Sequence, residues 1–134
     1  MSLGVKNAYL AVYNALLGLG WTAVALVVLL CILAQAEDSS LAYVKAAPLA
    51  KWLQAISLLE TLHAALGLVR SGVMMNVLQW IARSHALFLA VDPEQSLHAH
   101  PVAALMLFSW GLGEACRYPW CVHCSSVTSK AKRT

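Results

Sequence analysis

The sequence predicts an all-α fold, a multi-spanning transmembrane helical bundle of about four spans. Three observations carry that expectation. Hydrophobic residues make up 60% of the 134-residue chain and charged residues 11%, against about 25% charged in soluble domains. The mean hydropathy is +0.69. Four apolar stretches, separated by polar connections, approach the roughly 20 residues a helix needs to cross a bilayer. A soluble domain of this size would need far more surface charge, so the apolar excess fits a bilayer as solvent. An open sheet cannot satisfy its backbone in lipid, which makes helix the expectation throughout. The net charge of +3 is small and scattered, which argues against a nucleic-acid partner.

The first stretch runs from about Ala8 to Ala34 and carries no charge. Ala34-Gln35-Ala36 has the form of a signal-peptide cleavage site. The apolar run is about twice the usual length and only Lys6 charges its front, so a retained span is expected. The second stretch covers about Trp52 to Val69, the third Gly72 to Val91 and the fourth Pro101 to Cys116. Glu37-Asp38-Ser39-Ser40, Arg70-Ser71-Gly72 and Asp92-Pro93-Glu94-Gln95 connect them. Pro48, Pro93 and Pro101 are expected near helix ends, where proline is tolerated. The short link at Arg70 and Ser71 predicts an antiparallel hairpin of spans two and three. The division expected is a membrane-embedded domain over 1–120 and a basic cytosolic tail over 121–134.

Basic residues set the orientation. With a cytosolic N-terminus, Lys6, Arg70, Arg117, Lys130, Lys132 and Arg133 share the cytosolic side, and only Lys45 and Lys51 lie opposite. That asymmetry predicts both termini in the cytosol. Lys130-Ala131-Lys132-Arg133-Thr134 fits a Lys-x-Lys-x-x retrieval signal, with an ordinary basic tail as the alternative.

Ionisable groups at membrane depth are costly and mark function or packing. Span two carries Gln54, Ser57, Glu60 and His63, and span three Asn76, Gln79, Arg83 and His85. Glu60 and His63 share one helix face, and Asn76, Gln79 and Arg83 share another. Folding the hairpin at Ser71 sets Glu60 opposite Arg83 and His63 opposite Gln79. Both pairs read either as polar glue of the bundle or as the wall of a substrate tunnel. His63 reads as a proton shuttle or as a satisfied hydrogen-bonding residue. Glu60-x-x-His63 has di-iron spacing but no second motif accompanies it. Cys121-x-x-Cys124, with His123 and Cys116 nearby, lacks the second half of a zinc site. No metal, cofactor or disulfide is expected, and Cys31 is a small apolar residue within span one.

The same positions fall into ordered blocks. Tyr9-Leu10, Tyr13-Asn14 and Gly20-Trp21 come first, then Leu53-Gln54, then Leu59-Glu60-x-Leu62-His63 and Gly67-Leu68-Val69-Arg70-Ser71. Gln79 and Arg83 follow, and then Ser109-Trp110, Glu114 and Arg117-Tyr118. In order and spacing these blocks resemble the very-long-chain (3R)-3-hydroxyacyl-CoA dehydratases, the protein-tyrosine-phosphatase-like family of plant PASTICCINO 2. Ala82 stands where the family pattern has Ser.

The resemblance implies a lyase of fatty-acid elongation in the endoplasmic reticulum membrane. Its substrate would be a very-long-chain 3-hydroxyacyl-CoA, and its partners other elongase-complex membrane proteins and lipid. It implies framework or tunnel roles for Glu60, His63, Gln79, Arg83, Glu114 and Tyr118. Arg70 and Arg117, at the cytosolic face, are candidates for CoA phosphates, with membrane anchoring as the plainer role. The acid–base Tyr and Glu belong, by resemblance, to a later Tyr-Pro-x-Gly-x-x-x-Glu segment. Tyr118-Pro119 leads instead to Ser125, so no catalytic residue is assigned. The match is expected to stop after Trp120, with a block holding two of about six family spans absent. Two other functions stay open: a catalytically inactive shortened paralogue that regulates elongase partners, and a small membrane transporter.

Overall fold

The computed structural model describes residues 3–34, 40–69 and 71–131, with side chains between Gly4 and Pro119. In chain order the elements are α1 (Leu3–Ala34), α2 (Ser40–Ile56), α3 (Leu58–Ala65), α4 (Val73–Ser84), a π-helical segment (His85–Val91), α5 (Gln95–His98) and α6 (Pro101–Ala131). The described residues contain no strand. Among them one helix, over Gly4–Ala34, is long and apolar enough to cross a membrane. The boundary expected at 120 falls inside α6, which continues to Ala131.

The core lies between α1, α2 and α6. Leu10, Leu17, Trp21, Val24 and Val28 form one buried stripe on α1, at the three-to-four-residue steps (or two such steps) of a helix face. On α6 the buried set is Ala103, Ala104, Leu107, Gly111, Glu114 and Tyr118. A Cβ placed on Gly111 would lie 2.8 Å from the Trp21 carbonyl oxygen and 2.9 Å from the Ala25 Cβ. One placed on Gly18 would lie 3.0 Å from the Tyr118 Cβ. These two contacts run in opposite directions along the chain, so α1 and α6 are antiparallel. Tyr13 donates its hydroxyl to the Ile56 carbonyl at 3.2 Å, and Gly20 sits against Leu53, which makes α2 antiparallel to α1 as well. Small residues at these crossings let backbones approach, the packing mode of helices in lipid.

The second helix begins earlier than expected. Ala42, Tyr43, Ala46, Ala47, Ala50, Leu53 and Gln54 form a buried helical stripe on α2, which Lys45, Pro48 and Lys51 interrupt in the sequence. Pro48 lies inside α2 and not at its end. The seven-residue stripe packed on α1 and α6 holds the helix across the missing N–H. Outward faces stay apolar: Leu33, Trp52, Met74 and Leu105 are all exposed.

The link between the second and third apolar stretches is also longer than the sequence suggested. The Leu68 N–H reaches the His63 carbonyl at 2.8 Å and the Gly67 N–H the Ala64 carbonyl at 3.0 Å. Gly67 has φ +66°. Together these form a Schellman termination, which uses glycine for its left-handed residue. The helix therefore stops at Ala65, and α4 starts only at Val73. Beyond α4 the Asp92 N–H bonds the Leu87 carbonyl at 3.0 Å, a five-residue step, and Leu87 enters the core. Lys51 on α2 forms an ion pair with Asp92. Glu94 accepts from the Ser96 N–H at 3.3 Å, and its hydrogen bonding with Ser96 holds the exposed carboxyl below its ordinary pKa. His98 stacks on Tyr43 with ring centroids 4.4 Å apart.

Gly111→Val is expected to lower the unfolding free energy in detergent by about 1–3 kcal/mol through overpacking against α1. Gly113 has nothing within 4 Å of an added Cβ, so Gly113→Ala should be neutral or stabilising by up to about 1 kcal/mol. Denaturant melts followed by helical circular dichroism compare the two, and equal losses would contradict the α1–α6 contact.

Candidate functional site

Four charged side chains and one tyrosine meet where α3, α4 and α6 converge. Glu60, in the first turn of α3, takes both terminal guanidinium nitrogens of Arg117 at 3.0 Å. Arg117 also donates its Nε to Glu114 at 2.6 Å. The other Glu114 oxygen accepts from Arg83, at the end of α4. Tyr118 donates its hydroxyl to Glu60. The result is a ladder, Tyr118–Glu60–Arg117–Glu114–Arg83, in which two carboxylates balance two guanidinium groups.

Its surroundings suit it. Glu114 is only 2% exposed, and a carboxylate so enclosed needs paired donors on both oxygens. The Arg83 guanidinium lies 5.7 Å from the Trp21 ring centroid and 5.2 Å from that of Trp110. Arg117 lies 4.4 Å from the Tyr118 ring. Aromatic faces stabilise cations away from water. Glu114 and Arg117 are three residues apart on one helix, so that rung is local, whereas Glu60 and Arg83 arrive from other elements.

The pairs expected from depth matching do not form. Arg83 binds Glu114, not Glu60, and Glu60 binds Arg117. The Schellman turn ends α3 early, so equal residue counts from Ser71 do not give equal depth, and depth alone does not fix which way a side chain faces. His63 does not meet Gln79 either. Its Nε2 lies 2.9 Å from the Tyr9 hydroxyl, and its ring stands edge-on to Tyr9 and Tyr13. Arg70 lies outside the described residues, as do the side chains of Cys121, His123 and Cys124. Among the described residues no group of three or more His, Cys, Asp or Glu could hold a metal ion.

Beside the ladder opens a recess of about 340 Å³, including the space at its mouth. Its lining mixes four charged side chains, Glu60, Arg83, Glu114 and Arg117, with the neutral Gln54, Ser57, Thr61, Asn76, Gln79 and Trp80. Gln79 thus joins the site through the recess. Trp80 and Thr61 were not foreseen. Trp80 gave no signal, since a tryptophan in an apolar run reads as lipid-facing. Gln54 was visible as a polar residue in an apolar window, but its burial at 1% exposure was not.

The family model described as "Protein tyrosine phosphatase-like protein, PTPLA" matches residues 54–132. The chain belongs to this PTPLA family. All ladder residues and the whole recess fall within the matched range, which also runs past Trp120, where the resemblance was expected to stop. "Very-long-chain (3R)-3-hydroxyacyl-CoA dehydratase 2" of Mus musculus is 31% identical over 114 residues, covering 85% of this chain and 44% of the relative. "Very-long-chain (3R)-3-hydroxyacyl-CoA dehydratase" of Danio rerio is 31% identical over 120 residues, covering 88% of this chain and 33% of the relative. The chain therefore spans less than half the length of these curated relatives. No solved structure matches.

Removing one partner of a buried pair leaves an uncompensated charge. Glu114→Ala is therefore expected to cost about 3 kcal/mol or more in this PTPLA chain. Lys51→Ala, which breaks a pair with side chains 30% and 35% exposed, should cost under about 1 kcal/mol. Denaturant melts of both variants rank them, and the reverse order would show that the ladder does not hold the bundle.

Proposed function

We propose that this PTPLA chain is a multi-pass membrane protein of the endoplasmic reticulum, with both termini cytosolic. It serves the dehydration of very-long-chain (3R)-3-hydroxyacyl-CoA to trans-2-enoyl-CoA in fatty-acid elongation. The observation that supports this most is the convergence of Glu60, Arg83, Glu114, Arg117 and Tyr118 in one ladder beside a polar recess. Those are the residues that carry the family motifs, and the relatives named above are dehydratases of that substrate.

The reaction removes a proton from C2 and the hydroxyl from C3. A base takes the proton, an acid protonates the departing hydroxyl, and water and a trans double bond result. The ladder suits neither transfer, because each carboxylate is already held by guanidinium donors. Its role is to fix α3, α4 and α6 around the recess and keep the charges of its lining in balance. Arg117 has its donors on Glu60 and Glu114, which favours a framework role for it over phosphate binding. His63, held by Tyr9, belongs to the same framework. The proton transfers are left to a Tyr-Pro-x-Gly-x-x-x-Glu segment, a pattern this sequence does not contain.

The antiparallel run of α1 against α2 and α6 supports an arrangement with both chain ends on one face. The domain over 1–120 would be the embedded part and 121–134 the basic end on the cytosolic side. Other elongase membrane proteins are the partners this location offers.

In bilayer nanodiscs the purified chain should bind very-long-chain (3R)-3-hydroxyacyl-CoA saturably, and a short-chain analogue at least about tenfold more weakly, through lost apolar burial. Equilibrium binding with a labelled ligand measures both, and no saturable binding of the long-chain compound overturns the reading. For topology, single cysteines at Thr134 and Ser2 should react with an impermeant thiol reagent only from the cytosolic side of sealed microsomes. Labelling of either from the lumen would refute the orientation.

A further inference from the structure

Every carboxylate oxygen of the ladder is engaged, but not every guanidinium nitrogen. Arg117 spends Nε, Nη1 and Nη2 on Glu60 and Glu114. Arg83 spends only Nη1, on Glu114. Its Nε and Nη2 have no acceptor among the described residues. They are not sealed in, either. The enclosed side-chain polar atoms without a partner are Trp21 Nε1, the Tyr43 hydroxyl and Gln54 Oε1. The Arg83 side chain keeps 20% of its surface exposed, and it lines the recess.

Gln79 stands one turn before Arg83 on α4, on the same helix face. It is exposed and lines the same recess. Its amide makes no hydrogen bond with the described residues. Other polar groups of the lining are spent within the protein. Asn76 donates to the Ser71 hydroxyl oxygen at 3.0 Å, Ser57 to the Gln54 carbonyl at 2.7 Å, and Trp80 to that carbonyl at 2.9 Å. Gln79 and Arg83 are thus neighbouring donors with capacity to spare.

The group that suits them follows from charge and from protons. The ladder already balances its charges, so an anion in the recess would add an uncompensated one. A ligand hydroxyl brings a donor of its own, and the carboxylate oxygens of Glu60 and Glu114 are engaged. A carbonyl oxygen is neutral, brings no donor and accepts two hydrogen bonds.

We propose that Gln79 and Arg83 together hold the thioester carbonyl oxygen of a long-chain acyl-CoA, Gln79 through Nε2 and Arg83 through the nitrogens it does not give to Glu114. The assignment rests on the acyl-CoA reading given above and deepens it. Donors on that oxygen draw electron density from the thioester and so loosen the C2 proton that the dehydration removes.

The test compares dissociation constants of a saturated very-long-chain acyl-CoA and of the S-alkyl-CoA thioether of equal chain length, which has no carbonyl, for protein in nanodiscs. The wild type should favour the thioester by about tenfold or more. Gln79→Leu removes one donor and lies outside the ladder, and it should lower that ratio by about threefold or more through the thioester alone. Arg83→Lys keeps a cation for Glu114 but not the planar fork, and it should lower the ratio as well. An undiminished ratio in either variant overturns the assignment. So does a wild-type ratio of one, as when ester carbonyls of the bilayer lipid already hold both donors, and acyl-CoA binding then stands without it. If the wild type binds neither compound, the functional reading and this assignment fail together. Should Gln79→Leu bind neither, Gln79→Glu replaces it. That variant keeps the shape and exchanges the amide donor for an acceptor, so the ratio should fall, and an undiminished ratio counts against Gln79.

Discussion

The molecule turns on Arg117. This one guanidinium bridges Glu60 on α3 and Glu114 on its own helix, and through Glu114 it is coupled to Arg83 on α4. Glu114 is enclosed, where an isolated charge costs several kcal/mol and a balanced, hydrogen-bonded one is tolerated. The Arg117 side chain is itself 42% exposed, so the demand for pairing is set by Glu114. Any movement of α4 away from α6 would leave one Glu114 oxygen without its guanidinium. That makes the ladder a geometric constraint first and an energetic one second, since buried ion pairs add little stability over apolar packing. What it specifies is the relative placement of three elements that otherwise share few apolar contacts. No residue of α4 is fully buried, so its polar face does the locating.

The close fit of α1 on α6 is what brings the ladder to one level. Gly18 and Gly111 remove side chains at two close approaches of the helices, and Trp21 then reaches Arg83 from α1. Helix packing and charge pairing are thus linked. The crossing positions Trp21 and Trp110 as the aromatic faces that shelter Arg83, and the same crossing carries Tyr118 to Glu60.

Helical content and the polar positions could be read from the sequence, because both follow from composition and local period. The Arg117–Glu114 rung was legible in principle as well, being an i, i+3 contact. The long-range partners were not. Glu60 with Arg117 depends on the azimuth of two helices distant in the chain, and periodicity gives faces without saying which face meets which. Gly67 defeated the depth count, since its left-handed conformation ends α3 one turn early. Pro48 hid the start of α2, because the small-residue stripe that supports the helix there becomes visible only against α1 and α6. Tyr9 and His63 are 54 residues apart, and nothing local joins them.

A neutral ladder has a consequence for the recess beside it. Glu60, Glu114, Arg83 and Arg117 all contribute to the lining, two negative charges against two positive ones, and the carboxylates occupy guanidinium donors that would otherwise be free. A guanidinium without its carboxylate at that place would attract phosphate or carboxylate. Charge balance within the ladder therefore sets the electrostatic character of the recess as well as the placement of the helices. A substitution that unbalanced the ladder would change the sign of charge the recess presents before it changed the close packing of α1 on α6.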